Sequence, residues 1–266
     1  MKLISAPIVS SKEIMPQTWL LWLEAPEIAT EARPGQFVTI RCGERLLLRR
    51  PFAIHKVKTP NLALLFTVVG EGTRWLSNRK EGEPLDILGP LGNGFRLLPC
   101  FRRLLLVAGG IGIAPLAALA EKALANGYAV KLLLGAKTSA KIYPAELIPE
   151  KVELTLATED GSAGEKGLIT DLLPRFLDWA EQIFACGPIP MYRTLATMQL
   201  DDKPVQILLE QVMGCGVGVC RGCSVPTRHG LKSVCQDGPV FDLGEIIWEE
   251  IKEPVGRAKM VLTESV

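Results

Sequence analysis

The sequence predicts a β + α/β protein: an N-terminal antiparallel β-barrel, a parallel α/β domain, and a C-terminal cysteine loop subdomain. Three observations carry that expectation. Short apolar runs separated by Gly and Pro fill residues 1–98, strand and helix patterns alternate after Phe101, and four of the seven cysteines fall within residues 215–235. A chain of 266 residues corresponds to roughly two domains at about 150 residues each. The expected boundaries are 1–98, 99–210 and 211–266.

In the first segment the apolar runs are 3–9, 19–23, 37–42 (after the Pro34-Gly35 turn), 46–57 and 62–69. Strands at that spacing, with turn residues between them, build a small barrel or sandwich. One short helix interrupts them, with Thr73 as its cap and Arg74, Trp75 and Leu76 in its first turn, because a hydroxyl there accepts from otherwise unpaired amides. Beyond Phe101, residues 103–108 read as a buried strand and 114–125 as a helix ended by Asn126-Gly127. Further strands are expected at 129–135, 152–157, 182–186 and 205–209, and helical pieces at 143–147, 168–177 and 189–198. Residues 241–248 close the segment. Such alternation makes a parallel sheet covered on both faces.

Composition narrows the function classes. With 48% hydrophobic and 22% charged residues, the chain can bury a core and is not disordered. Thirty basic against twenty-nine acidic residues leave a net charge of +1, so no field exists to recruit nucleic acid or an anionic membrane surface. The uncharged stretch 104–120 is shorter than the roughly 20 residues of a spanning helix, and Gly109, Gly110, Gly112 and Pro115 interrupt it. Residues 1–10 contain no apolar run of signal-peptide length. Neither a membrane protein nor an exported one is expected, and the location is read as cytoplasmic.

Cys215, Cys220, Cys223 and Cys235 have the spacing C-x4-C-x2-C-x11-C. A loop wrapped around an iron–sulfur cluster supplies three thiolates at close spacing and a fourth from farther on, as in plant-type [2Fe–2S] sites. Glycines at 214, 216, 218 and 222 let the backbone curl and aim N–H groups at sulfur. The alternative is a zinc knuckle, although zinc sites usually pair two short C-x2-4-C units, and here the fourth cysteine stands alone after eleven residues. His229 lies between the third and fourth cysteines and reads as a solvated loop residue. Cys42 and Cys100 read as small buried hydrophobes, and His55 and Trp75 as packing or surface residues.

Ala108-Gly109-Gly110-Ile111-Gly112-Ile113-Ala114-Pro115 joins a strand to a helix. Pro115 stands where a dinucleotide fingerprint has its last glycine, yet the turn still offers backbone N–H groups and a positive dipole end to a pyrophosphate. A plain tight turn is the alternative. Cys186-Gly187-Pro188 marks a second strand end, where open α/β sheets bind ligands, and Cys186 is equally readable as a buried small residue. Arg49 and Arg50 end an apolar strand with two guanidinium groups suited to diphosphate, or serve as surface charges. Glu159-Asp160-Gly161 borders the nucleotide or forms a solvated turn.

In sequence order, Arg50-Pro51-Phe52-Ala53, Val69-Gly70-Glu71-Gly72-Thr73, Leu88-Gly89-Pro90-Leu91-Gly92-Asn93-Gly94-Phe95, Ala108-Gly109-Gly110-Ile111-Gly112, Ala185-Cys186-Gly187-Pro188, Leu209-Glu210 and Cys235-Gln236-Asp237-Gly238-Pro239-Val240-Phe241 form a series. With it, the chain resembles the flavin and iron–sulfur electron-transfer subunits of class 1B dihydroorotate dehydrogenases, within the wider ferredoxin reductase-like family. The resemblance covers essentially the whole chain. It implies an FAD-binding barrel (1–98), a Rossmann-like NAD-binding domain (99–210), and a [2Fe–2S] subdomain with a C-terminal tail (211–266). On that pattern Arg50, Pro51, Phe52 and Ala53 would meet the flavin and its diphosphate. Leu65, Phe66 and Thr67 would meet the flavin edge, and Gly72 and Thr73 the phosphates. Gly110 and Gly112 would lie near the NAD pyrophosphate, Cys186 beside the nicotinamide as the catalytic residue, and the four clustered cysteines would hold the iron. Family members usually carry serine at the position of Ala53, so a hydroxyl bond to the flavin N5 region would be absent here.

The activity implied is that of an oxidoreductase subunit in de novo pyrimidine (UMP) biosynthesis. An FMN-containing catalytic partner oxidises dihydroorotate, and electrons pass through the cluster and FAD to NAD+. The expected assembly is a heterotetramer of two chains of each kind, with the cysteine loop facing the partner and no orotate site on this chain. The alternatives are a subunit of another NAD(P)H-linked redox complex, such as a ferredoxin-linked transhydrogenase or a hydrogenase diaphorase, and a non-redox zinc-binding module.

Overall fold

The computed structural model describes residues 1–251; the C-terminal tail expected beyond them lies outside the described residues. Eight elements come first: β1 (Lys2–Met15), β2 (Thr18–Glu24), α1 (Pro26–Ala29), β3 (Phe37–Ile40), β4 (Arg50–Lys58), β5 (Asn61–Thr67), α2 (Glu71–Ser77) and β6 (Pro84–Leu91). The six strands close an antiparallel barrel in the order β1-β2-β5-β4-β3-β6. Inward residues such as Leu21, Val38, Ile54, Leu64 and Ile87 fill it.

The second part runs β7 (Arg103–Gly109), α3 (Ile113–Ala125), β8 (Ala129–Ala136), β9 (Glu153–Thr158), β10 (Glu165–Lys166), α4 (Ile169–Leu172), β11 (Gln182–Cys186), α5 (Ile189–Thr197) and β12 (Val205–Leu208). A hairpin of β13 (Ser224–Thr227) and β14 (Gly230–Ser233) follows, then β15 (Val240–Asp242). The main sheet has the order β10-β9-β8-β7-β11-β12-β15, parallel except for β15. Its central strands read as unbroken apolar runs because both faces are covered. Along β7, Leu105 and Val107 enter one core while Leu104, Leu106 and Ala108 enter the other. The chain leaves β7 toward β8 on one side and returns to β11 on the other. The carboxyl ends of β7 and β11 therefore flank the topological switch point, where such sheets bind ligands.

The barrel is fastened to the sheet along β4 and α3. His55 is fully buried, with Nδ1 2.8 Å from the Ala114 carbonyl oxygen and Nε2 2.9 Å from the Tyr143 hydroxyl. A carbonyl only accepts, so the neutral ring carries its hydrogen on Nδ1 and Tyr143 donates to Nε2. Next to it, the Lys56 ammonium donates to the Leu147 carbonyl at 2.7 Å and pairs with Glu121 at 2.8 Å.

Several expectations are corrected. The strand read from residue 46 starts at Arg50, because the ladder with β3 ends at the Ile40–Arg50 pair; Leu47 is 96% exposed. β1 is twice the expected length, its first half paired with β6 and its second with β2, and its polar half gave no apolar signal. β6 was not expected as a strand. The helix near Thr73 is capped at Gly70, and Thr73 lies one turn in, its hydroxyl accepting from the Val69 and Gly70 amides at 2.9 and 3.1 Å. The single helix expected over 168–177 is split into α4 and a 3-10 turn (Leu173–Phe176), because Pro174 has no N–H to donate. Cys42 is buried as expected, whereas Cys100 is exposed, sited between the barrel and β7 rather than in either core. His229 is exposed.

Burial pushes the His55 pKa down to about 4. Between that value and about 6.5, the unfolded chain binds a proton that the folded chain refuses. Stability should therefore fall as pH drops from about 6.5 to about 4, by roughly 3 kcal/mol from this residue alone. Urea unfolding across that range should show the loss, and His55→Asn should flatten it relative to the wild type.

Candidate functional site

A cleft opens between the barrel and the sheet. From the barrel it is walled by Pro51, Phe52 and Ala53 of β4, by Leu65, Phe66 and Thr67 of β5, and by Thr73 of α2. From the sheet side Ile111, Ala114 and Pro115 face it. The third wall is a single run, Leu208 to Gln211 with Met213, plus Pro239. Seven of the residues singled out in the sequence thus meet in one place. Gly35, Phe37 and the 208–213 wall were not read from the sequence as cleft residues; Leu209-Glu210 figured there only as part of the resemblance. No local signal marks them, since their part in the cleft depends on the packing of distant strands.

The twin arginines separate. Arg49 is bound in a two-pronged pair with Asp86 at 2.7 and 2.8 Å and also donates to the Asp86 carbonyl, so its guanidinium is committed within the barrel. Arg50 instead lies along the start of α2: its Cγ and Nε sit 3.1 and 3.2 Å from where a Cβ on Gly72 would stand. Gly72 therefore lets the Arg50 stem cross the first turn, beside the cleft-lining Thr73.

At the switch point the two glycines do different work. A Cβ on Gly112 would lie 1.9 Å from the Cys186 carbonyl oxygen, so this glycine lets the β7–α3 turn press on the end of β11. Gly110 has φ +58°, and a Cβ placed on it would meet no atom within 4 Å; its surroundings are open. Cys186 itself is buried, its thiol directed at the Leu208 carbonyl oxygen 3.9 Å away. Tyr192 donates to the same carbonyl at 2.5 Å and accepts from the Gly187 amide at 3.0 Å. The end of β11 is thus tied to the wall formed by Leu208.

Two residues beyond the cleft-lining Met213 the cysteine loop begins. Gly216 and Gly218 have φ +74° and +84°, which a side chain resists, and this curl turns amides onto the sulfurs. Cys215 Sγ accepts from the amides of Val217 and Cys220 at 3.4 Å each, Cys235 Sγ from Gly218 at 3.1 Å, Cys220 Sγ from Gly222 and Cys223 Sγ from Cys235, both at 3.4 Å. The Cys220 and Val217 amides pull the Cys215 pKa down to about 6, while burial pushes that of Cys235 up to about 12. Cys215 neighbours Cys220, and Cys235 neighbours Cys223. Among the described residues no three His, Cys, Asp or Glu side chains gather as ligands of a single metal ion.

A two-iron cluster takes two thiolates per iron, and the two neighbouring pairs suit it. A further observation fits. The Thr39 hydroxyl is buried and has no partner among the described residues. Its methyl lies 3.0 Å from a Cβ position on Gly216, so Thr39 packs against the cysteine loop. Leaving such a group unmet costs about 1–3 kcal/mol. The donor set and the cleft therefore fit a thiolate-held cluster next to an aromatic cofactor.

Residues 210–247 match the family model for the iron–sulfur cluster binding domain of dihydroorotate dehydrogenase B, and residues 106–197 that for the oxidoreductase NAD-binding domain. The dihydroorotate dehydrogenase B (NAD(+)) electron transfer subunit of Desulforamulus reducens is 40% identical over 260 residues, covering 93% of this chain and 99% of that protein. The subunit of the same name from Bacillus cereus strain B4264 is 38% identical, covering 90% and 96%. Among solved structures, that of an NADH-dependent reduced ferredoxin-NADP oxidoreductase superposes with a TM-score of 0.84 at 32% identity, covering 92% and 90% of the two chains. A ferredoxin NADP+ reductase from Neisseria gonorrhoeae shares the fold (TM-score 0.63, 18% identity, 77% and 93% covered).

Gly112→Ala should destabilise the protein by about 3 kcal/mol, since neither carbonyl nor strand can move aside. Gly110→Ala should cost only about 1 kcal/mol of left-handed backbone strain. Urea midpoints of the two variants measure the difference.

Proposed function

The chain belongs to the family of dihydroorotate dehydrogenase B (NAD(+)) electron transfer subunits, and on that premise we propose that it carries electrons from a dihydroorotate-oxidising partner to NAD+. The observation that carries this reading is the continuity of the Leu208–Met213 cleft wall with the loop that begins at Cys215, which would bring a cleft-bound flavin and a thiolate-held cluster side by side. Nicotinamide exchanges an electron pair, a [2Fe–2S] cluster one electron, and FAD converts between the two when bound.

The chain's own residues then take these parts. Pro51, Phe52, Ala53 and Leu65 to Thr67 enclose the isoalloxazine and keep water from it. Arg50 offers charge to the diphosphate, which the unpaired amides at the start of α2 assist; Thr73 keeps that turn in shape by accepting from Val69 and Gly70. Gly110 leaves room for the NAD pyrophosphate over the end of β7, Gly112 brings that turn onto β11, and Cys186 backs the nicotinamide position. Cys215, Cys220, Cys223 and Cys235 hold the iron, and their amide donors favour the reduced, more negative cluster.

The division into barrel, NAD-binding domain and cluster subdomain at 1–98, 99–210 and 211–266 is part of this reading. So are an FMN-containing partner, a heterotetramer of two chains of each kind, and a cytoplasmic location. No described helix is long and apolar enough to cross a membrane. A second reading, a subunit of a ferredoxin-linked NADP oxidoreductase, is favoured by the TM-score of 0.84 to one such structure. The higher identity to the dihydroorotate dehydrogenase subunits, together with the match of the cysteine segment, weighs against it.

The test is made on anaerobically purified protein. It should contain iron, acid-labile sulfide and FAD, and reduce ferricyanide with NADH while leaving orotate unchanged; orotate turnover by the lone chain, or absence of both chromophores after reconstitution, refutes the reading. Co-expression with candidate partners separates the two redox complexes, since only one couples dihydroorotate oxidation to NAD+. Cys220→Ala should abolish cluster iron and leave the flavin content unchanged, as metal analysis and the visible spectrum report.

A further inference from the structure

The reading above leaves His55 unused, although it is a fully buried imidazole bonded on both nitrogens across the boundary between barrel and sheet. Three observations single it out. First, the β4–β5 register slips between Ile54 and Lys56. A bulge of this kind inserts an extra residue and re-aims its side chain, here toward α3 instead of into the barrel. Second, the residue it grips is Ala114, which together with Pro115 forms the sheet-side wall of the cleft. Third, Ala53, two residues earlier on the same strand, lies in the barrel-side wall. One short stretch of chain thus reaches both walls.

We propose that His55, held by Tyr143, is a positioning residue for hydride exchange: it sets the spacing between the flavin-bearing β4 wall and the nicotinamide-bearing β7–α3 turn. The inference rests on the electron-transfer reading. Hydride exchange requires reacting atoms about 3–3.5 Å apart, and a misplacement of about 1 Å can cost on the order of a hundredfold in rate. The two nucleotides of this reading lie on different structural units, so their separation is decided by the seam between those units. Tyr143 donates to Nε2 and packs edge-on against the imidazole at 5.4 Å, which keeps the hydrogen on Nδ1, where it meets the Ala114 carbonyl. Lys56 crosses the same seam but reaches Leu147 and Glu121, neither of which lines the cleft.

The experiment compares full-length, FAD-loaded wild type with His55→Gln, Tyr143→Phe and Lys56→Met, reading flavin bleaching by NADH in a stopped-flow instrument under anaerobic conditions. Tyr143→Phe keeps the packed ring and so preserves the fold should His55→Gln lose it. His55→Gln and Tyr143→Phe should slow the limiting rate of flavin reduction about tenfold, with half-saturating NADH changed less than twofold and flavin and iron content unchanged. Lys56→Met should lower the melting temperature comparably yet keep the limiting rate within twofold of wild type. The proposal is overturned if folded, flavin-loaded Tyr143→Phe reduces its flavin at the wild-type rate, or if Lys56→Met slows it as much. Failure of NADH to reduce the wild-type flavin at all would refute the electron-transfer reading instead.

Discussion

The buried hydrogen bonds that His55 of β4 makes to Ala114 of α3 and to Tyr143 are the constraint on which the rest depends. Barrel side chains pack into both cores of the sheet, Phe37 and Leu91 into one and Met15 and Leu65 into the other, but apolar packing by itself does not impose one angle. The cleft exists because β4 presents one wall and α3 the other, and His55 fixes the seam between them with polar contacts. Such contacts are directional, unlike apolar packing, and an unmet partner in a dry interface costs more than the bond gains. They therefore select one arrangement of the two units over its neighbours.

A second constraint is continuity of the chain. β12, next to the β15 edge of the sheet, ends at Leu208, and the next residues pass along the cleft wall before curling into the cysteine loop. β15 then returns antiparallel to β12, so the loop is clamped at both ends to the same strand pair. Asn93 adds a side-chain clamp from the barrel, donating to the Asp237 carbonyl at 2.7 Å and accepting from the Val240 amide at 3.1 Å. The ligand loop is consequently fixed relative to both units, as electron transfer over a short gap needs. Its outer edge, with Cys220 exposed and Cys223 and Cys235 buried, presents one side of the sulfur set to solvent.

Legibility in the sequence followed the range of the forces involved. The order of barrel, alternating sheet and cysteine loop could be read because apolar periodicity and turn residues act over a few positions. The cysteine spacing could be read for the same reason: three of the four clustered cysteines come from one short loop. Strand ends were less legible. β6 was missed because its run carries Gly89-Pro90, and the start of β4 was misplaced because an apolar Leu46-Leu47-Leu48 stretch looks like strand even where no partner strand lies opposite. The role of His55 left no trace, since a bulge and a carbonyl 59 residues away are invisible to local pattern.

By itself, then, the amino-acid order determined the succession of barrel, alternating sheet and cysteine loop, and the close spacing of the four clustered cysteines. Tertiary structure alone decided that Arg49 is spent on Asp86 while Arg50 lies by the cleft, that Gly112 serves the Cys186 backbone while Gly110 faces open space, and that the wall at 208–213 faces Pro51 to Ala53. The physical reason is that each of these outcomes depends on contacts between residues far apart in the chain, whose geometry is set only when barrel and sheet are pressed into register.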